Sequence, residues 1–150
     1  MLLASPEYIK KNGPPQSINA LKKHKLLLRK SRIYPTTTKL EHGSMVVELD
    51  ASFNIIHLGD AFSCKEAALC GEGIAVDLSL AYCKEDIYRK RLIPVLPGWH
   101  RPAWAMTVAI RKEINSPKEI VDFAKWFAKK QKEAYPLRWG PFFEIFRVQP

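Results

Sequence analysis

The sequence predicts an α/β fold on three observations. Asp60 can cap a helix through Lys65–Leu69, Gly71 can take the left-handed position that ends it, and Ile74–Val76 is short enough for a buried strand. Further apolar runs at Lys25–Arg29, Met45–Leu49, Phe53–His57 and Leu92–Leu96 are also of strand length. Between them lie short segments with helix-start chemistry at Ser5-Pro6, Ser17 and Ser116-Pro117.

Taken in order, Met1–Ala4 is a short strand. Ser5-Pro6 supplies an N-cap and a proline at the first helical position, giving a helix over 6–12 that stops at Gly13. Pro14-Pro15 forces an extended connection, Ser17 caps a second short helix to about His24, and Lys25–Arg29 is a buried strand. His24 reads as a capping or surface histidine. Residues 31–41 form a loop rich in threonine and lysine. Met45–Leu49 and Phe53–His57, joined by Asp50-Ala51-Ser52, suggest a hairpin or meander that leads into the helix capped by Asp60.

Gly71 and Gly73 do not make a dinucleotide fingerprint. That motif follows a strand and opens a helix, whereas these glycines close a helix and precede a strand. They read as a structural turn that lets helix and strand approach closely. Leu78–Asp86 is another short helix or turn, and Leu92–Leu96, holding Pro94, belongs at a sheet edge or in a hinge. Trp104–Arg111 is an expected strand. Ser116-Pro117-Lys118-Glu119 is a full capping box, after which Ile120, Phe123, Ala124 and Phe127 lay one apolar stripe along a helix to about Lys132. The remainder, 134–150, is an aromatic tail with Trp139, Phe142, Phe143 and Phe146.

With 150 residues, 47% of them hydrophobic, the chain can bury one core. It has no apolar run near the ~20 residues that span a bilayer and no signal-peptide pattern at Met1–Ala4, so a cytoplasmic protein is expected. Cys64, Cys70 and Cys83 lack paired spacing and read as small buried thiols, with neither a disulfide framework nor a metal site. Residues 1–40 carry nine Lys or Arg against the single acid Glu7. Little aromatic interleaving accompanies them, which favours a solvated basic face over a nucleic-acid surface. No nucleophile elbow, His-Glu metal spacing, phosphate loop or paired carboxylates is present, so no enzyme and no cofactor is expected.

Three motifs carry a family resemblance. Leu3-Ala4-Ser5-Pro6-Glu7-Tyr8-Ile9, with Asn12-Gly13-Pro14-Pro15 and Leu21–His24, is the first; Ala67-Ala68-Leu69-Cys70-Gly71-Glu72-Gly73-Ile74-Ala75-Val76 is the second. The third is Arg91–Trp99 followed by Ser116-Pro117 and Val121-Asp122-Phe123. In this order and spacing, over about residues 2–133, the chain resembles the effector-binding domain of the LysR-type transcriptional regulators.

The resemblance implies a periplasmic-binding-protein-like type 2 fold, its lobe a mixed sheet flanked by helices. Residues 1 to about 90 would form the second lobe, and about 100–133 would return one strand and one helix to a first lobe otherwise missing here. It implies a regulator part without the DNA-reading helix-turn-helix, whether truncated or split. Its partners would be a small-molecule effector, a second copy or complementary regulator fragment, and DNA only through that other domain. Effectors of the family lie between the lobes at the helix following the middle strand, which here means His57, Leu58, Gly59 and Asp60. Val76-Asp77-Leu78 stands where the family commonly has Leu-Leu-Pro, so Asp77 places an unexpected carboxylate near the hinge. Two other readings are a free-standing solute-binding module of the same fold and a small basic nucleic-acid-associated protein.

Overall fold

The computed structural model describes residues 1–103, 107–110 and 117–146, with the backbone alone for 137–146. The chain divides into two units, Met1–Pro102 and Ala103–Pro150.

In the first unit, β1 (Leu2–Ala4) runs into α1 (Pro6–Asn12), and the Ser5 hydroxyl accepts the Tyr8 N–H as the N-cap should. Gly13 follows at φ +76°, a conformation in which glycine carries no Cβ penalty. The segment capped by Ser17 is a short 3-10 helix, Ile18–Lys23, ahead of β2 (Lys25–Arg29). Next come β3 (Lys39–His42), β4 (Met45–Glu48) and β5 (Asn54–Leu58). Then follow α2 (Ala61–Leu69), β6 (Ile74–Ala75), α3 (Leu80–Tyr88) and β7 (Ile93–Val95).

Five strands make one sheet in the order β5-β2-β6-β1-β7. β2 is parallel to β5 and β6, while β1 is antiparallel to both β6 and β7, so the sheet is mixed. β7, with its internal Pro94, takes the edge as expected, because proline cannot donate to a neighbour on both sides. The hairpin expectation fails in its partners. β4 pairs with β3 in a separate two-stranded ribbon, and β5 pairs in parallel with β2 instead of with β4. β2 is the more apolar and more buried neighbour, and joining it extends a core, whereas a β4–β5 hairpin would leave β5 outside.

Leu2, Ala4, Leu26, Leu28, Ile74 and Val76 cluster on one face of the sheet with Tyr8, Leu21, Leu40, Phe53 and Trp99. Leu3, Leu27 and Ala75, equally buried, have the alternate parity and belong to the other face. Each fully buried leucine or isoleucine contributes about 1.5–3 kcal/mol, so this double-faced packing holds the strands in register. α2 packs over β5, β2, β6 and β1 through the small buried Cys64 and Ala68. A Cβ on Gly73 would lie 2.6 Å from the Lys25 carbonyl oxygen, so the turn after α2 can approach β2 only as glycine. Gly71 stands at φ +76°, the left-handed position the sequence indicates.

His24 is buried, against the surface reading. It ends the 3-10 helix, and its Nδ1 lies 3.3 Å from the Tyr8 hydroxyl. Cys64 and Cys83 are buried but Cys70 is exposed, because it sits at the C-cap of α2 facing outward.

In the second unit, α4 runs from Lys118 to Phe146, well past the expected end at Lys132, so the segment expected as a tail begins as helix. Of the strand expected over 104–111, residues 107–110 are described and form no strand. Ser116 of the capping box, and residues 147–150, lie outside the described residues. Ile120, Phe123, Trp126, Phe127 and Tyr135 are all exposed on α4, Phe123 at 60% and Trp126 at 54%. With Thr107 and Val108, Phe127 and Tyr135 line an open groove of about 660 Å³.

Candidate functional site

Parallel strands deliver their carboxyl ends to one edge of a sheet, and where successive connections leave in opposite directions a crevice opens there. Here the chain leaves β2 toward β5 on one side, and from β5 it returns through α2 to β6 on the other. The register aligns Leu27 with Ala75 and Arg29 with Leu58. Continued by two residues, it sets Leu58, Arg29 and Asp77 in one transverse row along that edge, on one face of the sheet.

Asp77 is only 3% exposed. Its carboxylate accepts a hydrogen bond from the Thr37 hydroxyl at 3.4 Å and another from the Arg29 backbone N–H, while Oδ1 has no hydrogen-bond partner. Burial raises its pKa above the usual carboxylate value, and the Arg29 and Arg101 guanidinium charges pull it back only in part. Arg101 feels the reverse: burial lowers its pKa, and Asp77 favours its charge. Arg29 also lies under the Tyr34 ring, 4.9 Å from its centroid.

Asp60 caps α2, with Oδ1 accepting the Ser63 N–H at 2.7 Å, and that bond holds its pKa below the usual value. One helical turn on, Cys64 is buried between the two carboxylates. Burial first, then the charges of Asp77 and Asp60, push its thiol up to about 12, so it stays protonated and unreactive. Gly59 needs no left-handed φ, and a Cβ there would meet nothing within 4 Å, so the space above the β5–α2 turn is open.

Of the five residues singled out in the sequence, Leu58, Gly59, Asp60 and Asp77 therefore meet at one edge. His57 does not join them. It pairs with Leu28 and has the opposite parity to the row, is exposed, and has no hydrogen bond or ion pair among the described residues. Arg29, Thr37 and Arg101 escaped the sequence reading. Arg29 was visible as a charge closing an apolar strand; Thr37 and Arg101 come from loops with no local signal. Among the described residues no group of three or more His, Cys, Asp or Glu is placed to hold a metal ion. None of the described helices is long and apolar enough to cross a membrane.

A mixed sheet with a parallel core of strands, covered by helices, is the architecture of a lobe of the periplasmic-binding-protein-like type 2 class. Solved structures narrow the class. The chain is similar to the regulatory domain of AphB from Vibrio vulnificus, at 25% identity and a TM-score of 0.54, over 66% of this chain and 48% of that one. It is also similar in fold to a full-length AphB variant at 22% identity and TM-score 0.56, over 69% of this chain and 34% of that one. Full-length AphB of Vibrio cholerae, a virulence activator of the LTTR family, gives 24% identity and TM-score 0.50, over 68% of this chain and 34% of that one. The chain thus spans about a third of the full-length regulators and about half of the regulatory domain it matches. No protein-family model matches it, and no curated protein does. The fold is that of a LysR-type regulatory domain, the effector-binding part of such regulators, as the three sequence motifs imply.

Proposed function

We propose that this chain is the ligand-sensing part of a LysR-type transcriptional regulator and that a small-molecule effector binds along the edge formed by Leu58, Gly59, Asp60 and Asp77. The observation that carries this reading is Asp77, a buried carboxylate with an open oxygen on the row of Leu58 and Arg29, in the field of the Arg29 and Arg101 charges. A buried carboxylate with an unfilled acceptor costs stability, which favours a functional role for it.

Residues 1 to about 90 act as the second lobe and the chain beyond about 100 reaches toward a first lobe. The exposed face of α4 is covered in the working protein by a second copy or a complementary regulator fragment. The protein is cytoplasmic, is not an enzyme, and reaches DNA through a helix-turn-helix domain rather than through its own lysines.

A thermal-shift screen of a metabolite library against the whole chain tests the site. Compounds that raise the melting temperature of the parent are expected to lose their effect in Gly59→Trp, which fills the open space above the β5–α2 turn without demanding an unusual backbone. Binding that survives Gly59→Trp would place the ligand elsewhere.

A further inference from the structure

The β3–β4 ribbon has one edge in use and one open. In an antiparallel ladder, pairs that exchange both main-chain hydrogen bonds alternate with pairs whose N–H and C=O groups point outward. The Leu49 N–H donates to the Thr38 carbonyl at 2.7 Å, so the register makes Leu40–Val47 and His42–Met45 the bonded pairs and turns Glu41, Val46 and Glu48 outward. On β3 the outward groups are used, since Glu41 and His100 exchange N–H to C=O bonds at 2.8 and 3.0 Å. On β4 they are not. The main-chain groups of Val46 and Glu48 take no hydrogen bond among the described residues, and the Met45 and Val46 side chains beside them are more than half exposed. An edge of this kind is a template for a further strand unless a lysine, a proline or a covering segment blunts it. Pro94 does so on β7, whereas β4 carries neither residue.

The charge along the edge selects the kind of strand that fits. Between residues 41 and 60 every Asp, Glu, Lys or Arg is an acid: Glu41, Glu48, Asp50 and Asp60. Glu41 is matched by Lys39 at 3.1 Å, but Glu48 is exposed and has no ion pair among the described residues. A second copy would bring its own Glu48 and Asp50 to the seam and add like charge. We propose that the outer edge of β4 binds an extended peptide segment of a partner protein in which apolar residues alternate with lysine or arginine. Lying antiparallel to β4, the segment exchanges main-chain bonds with Val46 and Glu48 and sets a basic side chain opposite the Glu48 carboxylate. Its intervening apolar residues fall on the other face, beside Met45 and the half-buried Val47. Main-chain bonds give the affinity, and the alternate side chains give the selection. Nothing in this inference depends on the effector site.

Fluorescence anisotropy of labelled octapeptides with the whole chain at low ionic strength tests it. The probes are alternating Lys-Val, alternating Glu-Val, and Lys-Val peptides N-methylated either on the lysines or on the valines. The parent should bind Lys-Val about fivefold or more tightly than Glu-Val, the scale of exchanging an opposite for a like charge across strands. Methylation on the lysines, whose N–H groups face β4 when their side chains lie beside Glu48, should abolish binding, and methylation on the valines should not. Glu48→Lys should move the preference about fivefold or more toward Glu-Val. A variant that had merely unfolded would gain no affinity for either peptide, so that gain separates charge from folding. Equal binding of Lys-Val and Glu-Val by the parent, binding that survives methylation on the lysines, or no peptide binding overturns the proposal. If no peptide binds while the parent and Glu48→Lys chains pair with each other, a second copy takes the edge instead.

Discussion

Arg29 ends β2, and Asp77 stands two residues beyond β6 on the row that continues the Leu27–Ala75 register, where its carboxylate takes the Arg29 backbone N–H. The contact is between a side chain and a main chain, so it does not depend on the guanidinium. Arg29→Met should therefore fold with Asp77 in place but remove one of its two compensating charges, and Asp77 should then titrate at higher pH than in the parent. Carboxyl-carbon chemical shifts of Asp77 followed against pH check this; an unchanged titration would mean that the Arg29 charge does not act there.

The turn glycines separate two causes of the same sequence preference. Gly71 is needed for its positive φ, since a Cβ there makes only ordinary contact with Ser5 at 3.6 Å. Gly71→Val should cost about 1–3 kcal/mol, and Gly71→Asn clearly less, because asparagine tolerates the left-handed region. Gly73 is needed for space, with the Lys25 carbonyl 2.6 Å from its would-be Cβ. Gly73→Ala should cost about 1–3 kcal/mol, and Gly73→Asn more than Gly73→Ala. Urea melts of the four variants give the order directly.

Asp86 on α3 is buried and receives Lys65 of α2 at 2.8 Å and Arg91, near the start of β7, at 2.5 Å. The Lys65 pKa is raised chiefly by its hydrogen bond to Asp86. Asp86→Ala should cost about 3 kcal/mol, the low end for breaking a buried pair, because Arg91 is half exposed and can turn to water. Chemical denaturation measures it, and a loss under 1 kcal/mol would mean the three elements are joined by packing alone.

Acid should weaken the fold through His24. The Tyr8 hydroxyl takes the Lys25 N–H at 3.2 Å and lies 3.3 Å from His24 Nδ1, so the imidazole sits in a buried pocket shared with Tyr8. Burial lowers the His24 pKa below 6.5. The unfolded chain, with an ordinary histidine, then binds more protons than the folded one as pH falls through about 6.5, and stability drops until the folded pKa is passed. Melting temperature against pH should fall less steeply in His24→Gln than in the parent between pH 7 and 5. Parallel curves would show that His24 does not titrate between states.

The apolar face of α4 calls for cover, because leaving Ile120, Phe123 and Phe127 in water forgoes about 1.5–3 kcal/mol for each. The whole chain should self-associate or bind an apolar dye, and Phe123→Asp with Phe127→Asp should abolish both. Light scattering that finds a clean monomer without dye binding in the parent would mean that residues outside the described set already cover this face.

Much of the fold was legible because local chemistry announces it. Ser5 and Asp60 cap helices where their spacing to the following N–H groups says they should, and Pro94 keeps β7 at the edge. The pairing of β5 was not legible. Its apolar run looks the same whether it joins β4 across a short turn or β2 from much earlier in the chain, and only the buried area of the finished sheet decides. The site divides the same way. Asp60 and Asp77 stand beside recognisable turns, whereas Arg29 comes to Asp77 through strand register and Thr37 through the course of a loop, neither of which a local pattern announces.

The placement of β1 also sets the tempo of assembly on the ribosome. Leu3 is made well before its partners on either side, Ala75 and Pro94. At about 5–20 residues per second, the nascent chain holds Leu2 and Leu3 without a sheet for some 4 to 14 seconds before β6 is synthesised, and longer before β7 closes the other flank. An apolar segment that must wait so long is a target for chaperone holdases, and slowing translation near residues 76–92 should lengthen that exposure and lower soluble yield.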